Sequence, residues 1–158
     1  KKSFGKAIAI IIVVASIASG VLTLLWWQTD DPVLYTRDEL AIAEWVKANT
    51  PAEAVWLTSD EHHHPVHTLA GRRIAMGLRW WLWSHGVKFE KQEKETEAFF
   101  HEPSCDLPRK INASYVFVGP SEEYIMKTSK ESFRSPVFRQ IAELKFGGTT
   151  ANIYKINC

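Results

Sequence analysis

The sequence predicts a small α/β domain with a mixed sheet, layered like a sandwich, behind a single N-terminal transmembrane helix. Three observations carry that prediction. Residues 7–27 read AIAIIIVVASIASGVLTLLWW, without one charged side chain. Downstream, short apolar runs alternate with segments of helical periodicity. Near the end, two further strand-like runs flank Gly147-Gly148, as in a hairpin.

The uncharged run holds 21 residues, roughly 31 Å of helix at ~1.5 Å per residue, which matches the hydrocarbon core of a bilayer. The β-branched stretch from Ile10 to Val14 suits lipid, where apolar content decides insertion. Trp26 and Trp27 stand where an interfacial aromatic belt lies. Lys1, Lys2 and Lys6 flank one end, and Asp30 and Asp31 flank the other. The positive-inside bias then puts the N-terminus in the cytoplasm and residues from about 30 onward on the extracytoplasmic side, whether periplasmic, extracellular or lumenal. A secretory signal peptide has a shorter apolar core, about 7–15 residues, and small residues at its cleavage site. This run instead ends in Leu24, Leu25, Trp26 and Trp27. The expected organisation is residues 1–29 for the lysines and the span (about 7–27), 30–35 for a linker containing Pro32, and 36–158 for an extracytoplasmic α/β domain.

At 158 residues, 46% hydrophobic and 23% charged, the chain suffices for one ordinary domain plus the span. The formal net charge of +1 rests on the three leading lysines, and the remainder sits near −2. That balance excludes a basic, aromatic-interleaved nucleic-acid surface. No internal repeat or low-complexity tract is present. The chain begins KKSFGK without an initiator methionine, as a fragment of a longer protein would.

Thr36 and Glu39 form a capping box that starts a helix whose apolar face is Ala41, Ile42, Trp45 and Val46, ending near Asn49. Thr50-Pro51 stops it. A buried strand is expected over 54–58 (AVWLT), a second over 73–76 after Gly71, and a charged helix over 88–100. Residues 114–118 (SYVFV) give the clearest strand, ended by Gly119-Pro120. A helix with Glu122 and Glu123 in its first turn is expected over 121–130. Residues 141–146 and 152–156 then form the hairpin, across a glycine turn one or two residues longer than the minimum.

The densest polar cluster is Asp60, Glu61, His62, His63, His64 and His67, just after the first strand, where open α/β sheets bind ligands. Imidazoles and carboxylates also suit a transition metal, but the spacing is not that of a known site, and a His63/His67 pair needs a helix that starts at Pro65. A loop of hydrogen-bonded or solvated histidines, some of them shaping a ligand pocket, is the favoured reading. The second cluster is Arg79, Trp80, Trp81, Trp83, Ser84, His85 and Gly86. It can stack on a sugar or hold a lipid phosphate, or it can be core or lie against headgroups or neighbouring helices. No nucleophile elbow, phosphate loop or dinucleotide fingerprint occurs. Cys105 and Cys158 are allowed to pair in an oxidising space but are not required to. Asn112-Ala113-Ser114 is a glycosylation sequon abutting a strand.

Several segments together, taken in order, resemble one family. They are Ala43-Glu44-Trp45-Val46 with Asn49-Thr50-Pro51, Ala54 to Thr58, His62 to Pro65, and Leu69-Ala70-Gly71-Arg72-Arg73 with Gly77. Trp81-Leu82-Trp83-Ser84-His85-Gly86, Tyr115-Val116-Phe117-Val118-Gly119 and Ile153 to Ile156 complete the set. Their order is similar to the C-terminal region of polytopic GT-C-type glycosyltransferases, where a last transmembrane helix leads into an extracytoplasmic domain. The resemblance covers most of residues 7–158. It implies descent from enzymes that use polyprenyl-phosphate sugars. The acidic catalytic group of such enzymes lies in an early loop between transmembrane helices, so no catalytic position maps here. Leu78-Arg79-Trp80 departs from the smaller, Gly-bearing turn of the pattern.

The expected function is therefore an accessory domain of a membrane glycosyltransferase-like protein. Its substrate-binding candidates are His62, His64, His67, Arg72, Arg79, Trp83 and His85, with no catalytic residue, metal or cofactor. Its expected partners are the lipid bilayer, a lipid-linked sugar or acceptor, and other transmembrane helices, with no nucleic acid. The alternative is a single-span binding or assembly subunit without enzymatic activity; a metal-dependent enzyme using the histidine loop is a third class.

Overall fold

The computed structural model describes residues 2–29 and 33–158. Lys1 and the Asp30, Asp31 and Pro32 portion of the expected linker lie outside the described residues, as do the side chains of Lys2, Ser3, Gln28 and Thr29. The chain forms two units, Lys1–Leu34 and Tyr35–Cys158.

The first unit is helix α1, Lys2–Thr29. Within it, Phe4–Trp27 is long and apolar enough to cross a membrane, and none of its apolar window is buried by the protein. The hydroxyls between Phe4 and Trp27 are satisfied within the helix: Ser16 donates to the Ile12 carbonyl at 2.9 Å, Ser19 to the Ser16 carbonyl at 3.0 Å, and Thr23 to the Ser19 carbonyl at 2.9 Å. This internal pairing is what a lipid environment demands of polar groups.

The second unit opens with α2, Arg37–Asn49, whose start carries the expected capping box: Thr36 Oγ1 accepts from the Glu39 amide, and Glu39 accepts from the Thr36 amide. Strand β1 (Val55–Leu57), the short helix α3 (Pro65–Thr68) and strand β2 (Arg73–Ile74) follow. Helices α4 (Arg79–Ser84), α5 (Glu90–His101) and α6 (Asp106–Ile111) lead to β3, Ala113–Val118. Helix α7 (Pro120–Ile125) and a 3-10 turn at Lys130–Phe133 precede the hairpin β4 (Phe138–Phe146) and β5 (Thr149–Ile156).

The five strands form one mixed sheet in the order β2-β1-β3-β5-β4. β1 runs parallel to both β2 and β3, while β5 runs antiparallel to β3 and β4. Alternation along the central strands explains why SYVFV reads as continuously apolar. Tyr115 and Phe117 join the core beneath α2 and α3, with Ile42, Val46, Trp56, Val66 and Ile153. Val116 and Val118 join the opposite core with Leu57, Phe99, Phe100, Leu107, Phe133 and Tyr154. A strand covered on both faces needs apolar residues at every position.

Several boundaries differ from expectation, and the second strand, expected over 73–76, covers only Arg73–Ile74. The helix foreseen over 121–130 stops after Ile125, because Met126 turns into the core and Lys127 takes a left-handed backbone at φ 50°. The hairpin turn is the two-residue minimum, Gly147 and Gly148, both at positive φ (55° and 83°), as a primed turn matching the sheet twist requires. The strands accordingly begin pairing earlier, at Phe138 and Thr149.

Candidate functional site

From β1 the sheet continues to β2 on one side and β3 on the other. The crevice at their carboxyl ends is therefore the topological switch point, where open α/β sheets take ligands. Thr58, Ser59, Asp60 and Glu61 leave β1 there, and Gly119 to Glu122 leave β3.

Glu122 fills this crevice from within. Its Oε1 accepts the Ser59 amide and the Ser59 hydroxyl, both at 2.7 Å, and lies 3.1 Å from His64 Nε2. Its Oε2 accepts the Gly119 amide at 3.0 Å. His64 is the N-cap of α3, and its Nδ1 accepts the Val66 amide at 3.2 Å. That leaves the proton on Nε2, directed at the carboxylate. The edge of Phe117 closes on the His64 ring at 4.7 Å between centroids. A Cβ at Gly119 would stand 2.7 Å from the Phe117 ring, so the close approach at this position requires glycine. Burial pushes the Glu122 carboxyl up, but the electrostatic pull of the His64 ring and the hydrogen bonds from His64 and Ser59 outweigh it and hold the group below the usual carboxylate range.

Hydroxyl and imidazole both converge on the carboxylate here, instead of passing a proton from serine to histidine. Nucleophilic relays need the opposite order and an exposed hydroxyl, whereas Ser59, His64 and Glu122 are all buried. Chemically the arrangement is a lock: a buried carboxylate fills the crevice and joins the loops after β1 and β3.

Outside the lock, Asp60 grips α4. Arg79 donates from Nε to Asp60 Oδ2 at 2.6 Å and from Nη2 to Oδ1 at 3.2 Å, and its Nη1 pairs with Glu93 at 3.1 Å. The hydrogen bond to Asp60 raises the guanidinium above its ordinary value. The Ser121 hydroxyl donates to Glu61, a second tie between the two loops. Helix α4 itself has no buried residue, and Trp80, Trp81 and Trp83 are 69%, 58% and 70% exposed. Of the sequence alternatives for these tryptophans, the core is the one they do not occupy.

An aromatic ladder reaches α4 from the first residue of the domain. The Tyr35 hydroxyl and His63 Nδ1 share a hydrogen bond at 3.3 Å, with ring centroids 5.6 Å apart. His63 lies 4.4 Å from His62, and His62 lies 4.6 Å from Trp81.

No protein-family model matches the chain, and no curated protein matches it.

The seven candidates fall into two groups. His62, Arg79, Trp83 and His85 lie on or against α4; His85 caps that helix, its Nδ1 2.8 Å from the Trp81 carbonyl. His64, His67 and Arg72 face the interior. His67 stacks on His64 at 6.0 Å, and burial, reinforced by repulsion from His64, lowers its pKa to about 4. Arg72 clamps the end of α2, donating to Thr50 Oγ1 and to the carbonyls of Val46, Lys47, Thr50 and Ala70. The division follows from Pro65: the helix does start there, which turns His64 inward as its cap and leaves His62 and His63 outside. Among the described residues, no three His, Cys, Asp or Glu side chains gather as a metal ion would require.

Glu122 is the residue that sequence reasoning assigned only to a helix start. It holds that position too, but its partners Ser59 and His64 lie 63 and 58 residues away, and no motif signals them. A groove of about 560 Å³ between α5 and α6, lined by Glu95, Phe99, Glu102, Asp106 and Lys110, was likewise not foreseen. Beside it, Cys105 and Cys158 form a disulfide that ties the start of α6 to the C-terminus. Asn112 of the sequon is exposed, at the left-handed end of α6.

Proposed function

We propose that this chain is the extracytoplasmic accessory domain, with its membrane anchor, of a GT-C-type glycosyltransferase-like protein that uses polyprenyl-phosphate-linked sugars, and that the chemistry resides elsewhere in that protein. In this reading residues 7–27 span the bilayer, the leading lysines stay in the cytoplasm, and the α/β domain stands outside it. The Cys105–Cys158 disulfide supports an oxidising compartment.

The observation that supports the reading best is the ladder Tyr35–His63–His62–Trp81. It begins at the residue where the domain follows the membrane-spanning segment and ends on the exposed face of α4. Indole faces stack on sugar rings, and imidazoles donate to phosphate oxygens. His62, Trp81, Trp83 and His85 are thus the groups that would meet a lipid-linked donor or acceptor. Arg79, held by Asp60 and Glu93, positions α4 rather than meeting the ligand. The locked Ser59–His64–Glu122 cluster supports a domain that binds rather than reacts.

The test is alanine replacement of His62, Trp83 and His85 in the complete membrane-embedded protein. Sugar transfer from a polyprenyl-phosphate donor should fall about tenfold or more, a loss of about 1.4 kcal/mol of binding, at normal protein abundance. Transfer at the parental level would overturn the reading. A second reading, a single-span binding or assembly subunit, is favoured by the exposed tryptophans of α4. Coding sequence for further transmembrane spans upstream of Lys1 would decide against it.

A further inference from the structure

We infer that α4 is an interfacial membrane anchor, seating Trp80, Trp81 and Trp83 in the headgroup zone of a bilayer. The helix is built in two faces. Arg79 and Leu82, three residues apart, turn toward the domain: Arg79 reaches Asp60 and Glu93, and Leu82 lies over Gly77. The three tryptophans project from the remaining arc, Trp81 touching His62 along one side, and leave on the order of 450 Å² of indole exposed. Val87, 48% exposed just beyond the helix, extends the patch.

A patch of that size matches the largest apolar patch of a typical monomer, which is often functional. A stable dimer needs about 800 Å² per partner, which these side chains do not supply. Indole is amphipathic and is enriched at membrane interfaces, where its ring is shielded and its N–H meets headgroups. The chain itself brings a bilayer within reach. Helix α1 contains a stretch apolar enough to cross one. Only residues 30–34 separate Thr29 from Tyr35, a tether of at most about 20 Å. From Tyr35 the ring ladder leads to Trp81. The outer arc carries no charge, and the Arg79 charge is held by two carboxylates, so the attachment depends on indole rather than on anionic lipid. It does not rest on the glycosyltransferase reading and applies equally to a single-span subunit.

The test uses the full chain labelled with 5-fluorotryptophan in phosphatidylcholine nanodiscs, each fluorine resonance being assigned by a single Trp→Phe replacement. A lipid nitroxide near the top of the acyl chain should remove at least half the intensity of the Trp80, Trp81 and Trp83 signals. A water-soluble gadolinium chelate should affect them much less, and the buried Trp56 signal should respond to neither. Adding phosphatidylglycerol should leave the pattern unchanged. Signals bleached by the chelate and spared by the lipid nitroxide would overturn the inference by showing a free surface. Signals spared by both would overturn it in favour of a protein contact, such as a second copy. Lipid contact appearing only with phosphatidylglycerol would overturn it in favour of charge-driven docking. No sugar transfer is read in this experiment, so its failure and that of the functional proposal are separate results.

Discussion

His64 Nε2 lies 3.1 Å from Glu122 Oε1, and the two side chains are 1% and 0% exposed. A buried, hydrogen-bonded pair of this kind is costly to break from one side, because the remaining partner stays desolvated. Glu122→Ala also leaves the amides of Ser59 and Gly119 without their acceptor. The expected loss is about 3–5 kcal/mol, read as a large drop in the thermal midpoint by near-UV circular dichroism in detergent. Glu122→Gln keeps the shape and one acceptor oxygen, and should cost less, about 1–3 kcal/mol. Equal midpoints for Glu122→Ala and the parent would show that the crevice is not locked by this residue.

Acid should weaken the domain in two windows. His67 stays neutral in the folded state down to a pKa of about 4, whereas its ordinary value is 6.5. Between those values the unfolded chain binds more protons, so stability falls as pH drops from about 6.5 to 4. After discounting for its partial exposure, the loss is about 1–2 kcal/mol. Glu122, lowered from 4.5, adds stability that is present above that value and is lost as pH falls through its folded pKa. His67→Phe should flatten the first window and leave the second intact in unfolding curves taken at half-unit pH steps.

Arg72→Ala should act on stability, since its guanidinium joins the end of α2 to Ala70 through five acceptors. Losing these charge-assisted bonds, most of them part-buried, costs about 2–3 kcal/mol. Arg72→Lys should recover only part of this, because an ammonium cannot reproduce the planar fork. Thermolysin cleavage near residues 47–51 gives a direct measure.

The disulfide between Cys105 and Cys158 closes a loop with a sequence separation of 53. The chain-entropy relation puts its contribution at about 4 kcal/mol, and typical values run from about 2 to 4. Reduction should therefore lower the denaturant midpoint, and the double Cys→Ser variant should reproduce that value without reductant.

Local order was legible in the sequence wherever the determining interaction is local. The uncharged run gave a helix able to span a membrane, since length and apolar content alone decide that property. Thr36 and Glu39 set the start of α2, and the apolar runs around Trp56 and Phe117 gave the strands of a mixed sheet. The short helix at Arg79–Ser84 was not legible as one, because its outward arc is aromatic and periodicity cannot separate such a face from a core. Tertiary structure alone decided that Glu122 seals the switch-point crevice, that Arg72 caps a helix, and that three tryptophans remain outside. Each depends on partners distant in the chain, or on the absence of any cover, and neither leaves a repeating pattern in sequence. The histidines show the boundary between the two kinds of information. Pro65 marks locally where a helix can begin, but only the fold turns His64 toward Glu122 and leaves His62 against Trp81.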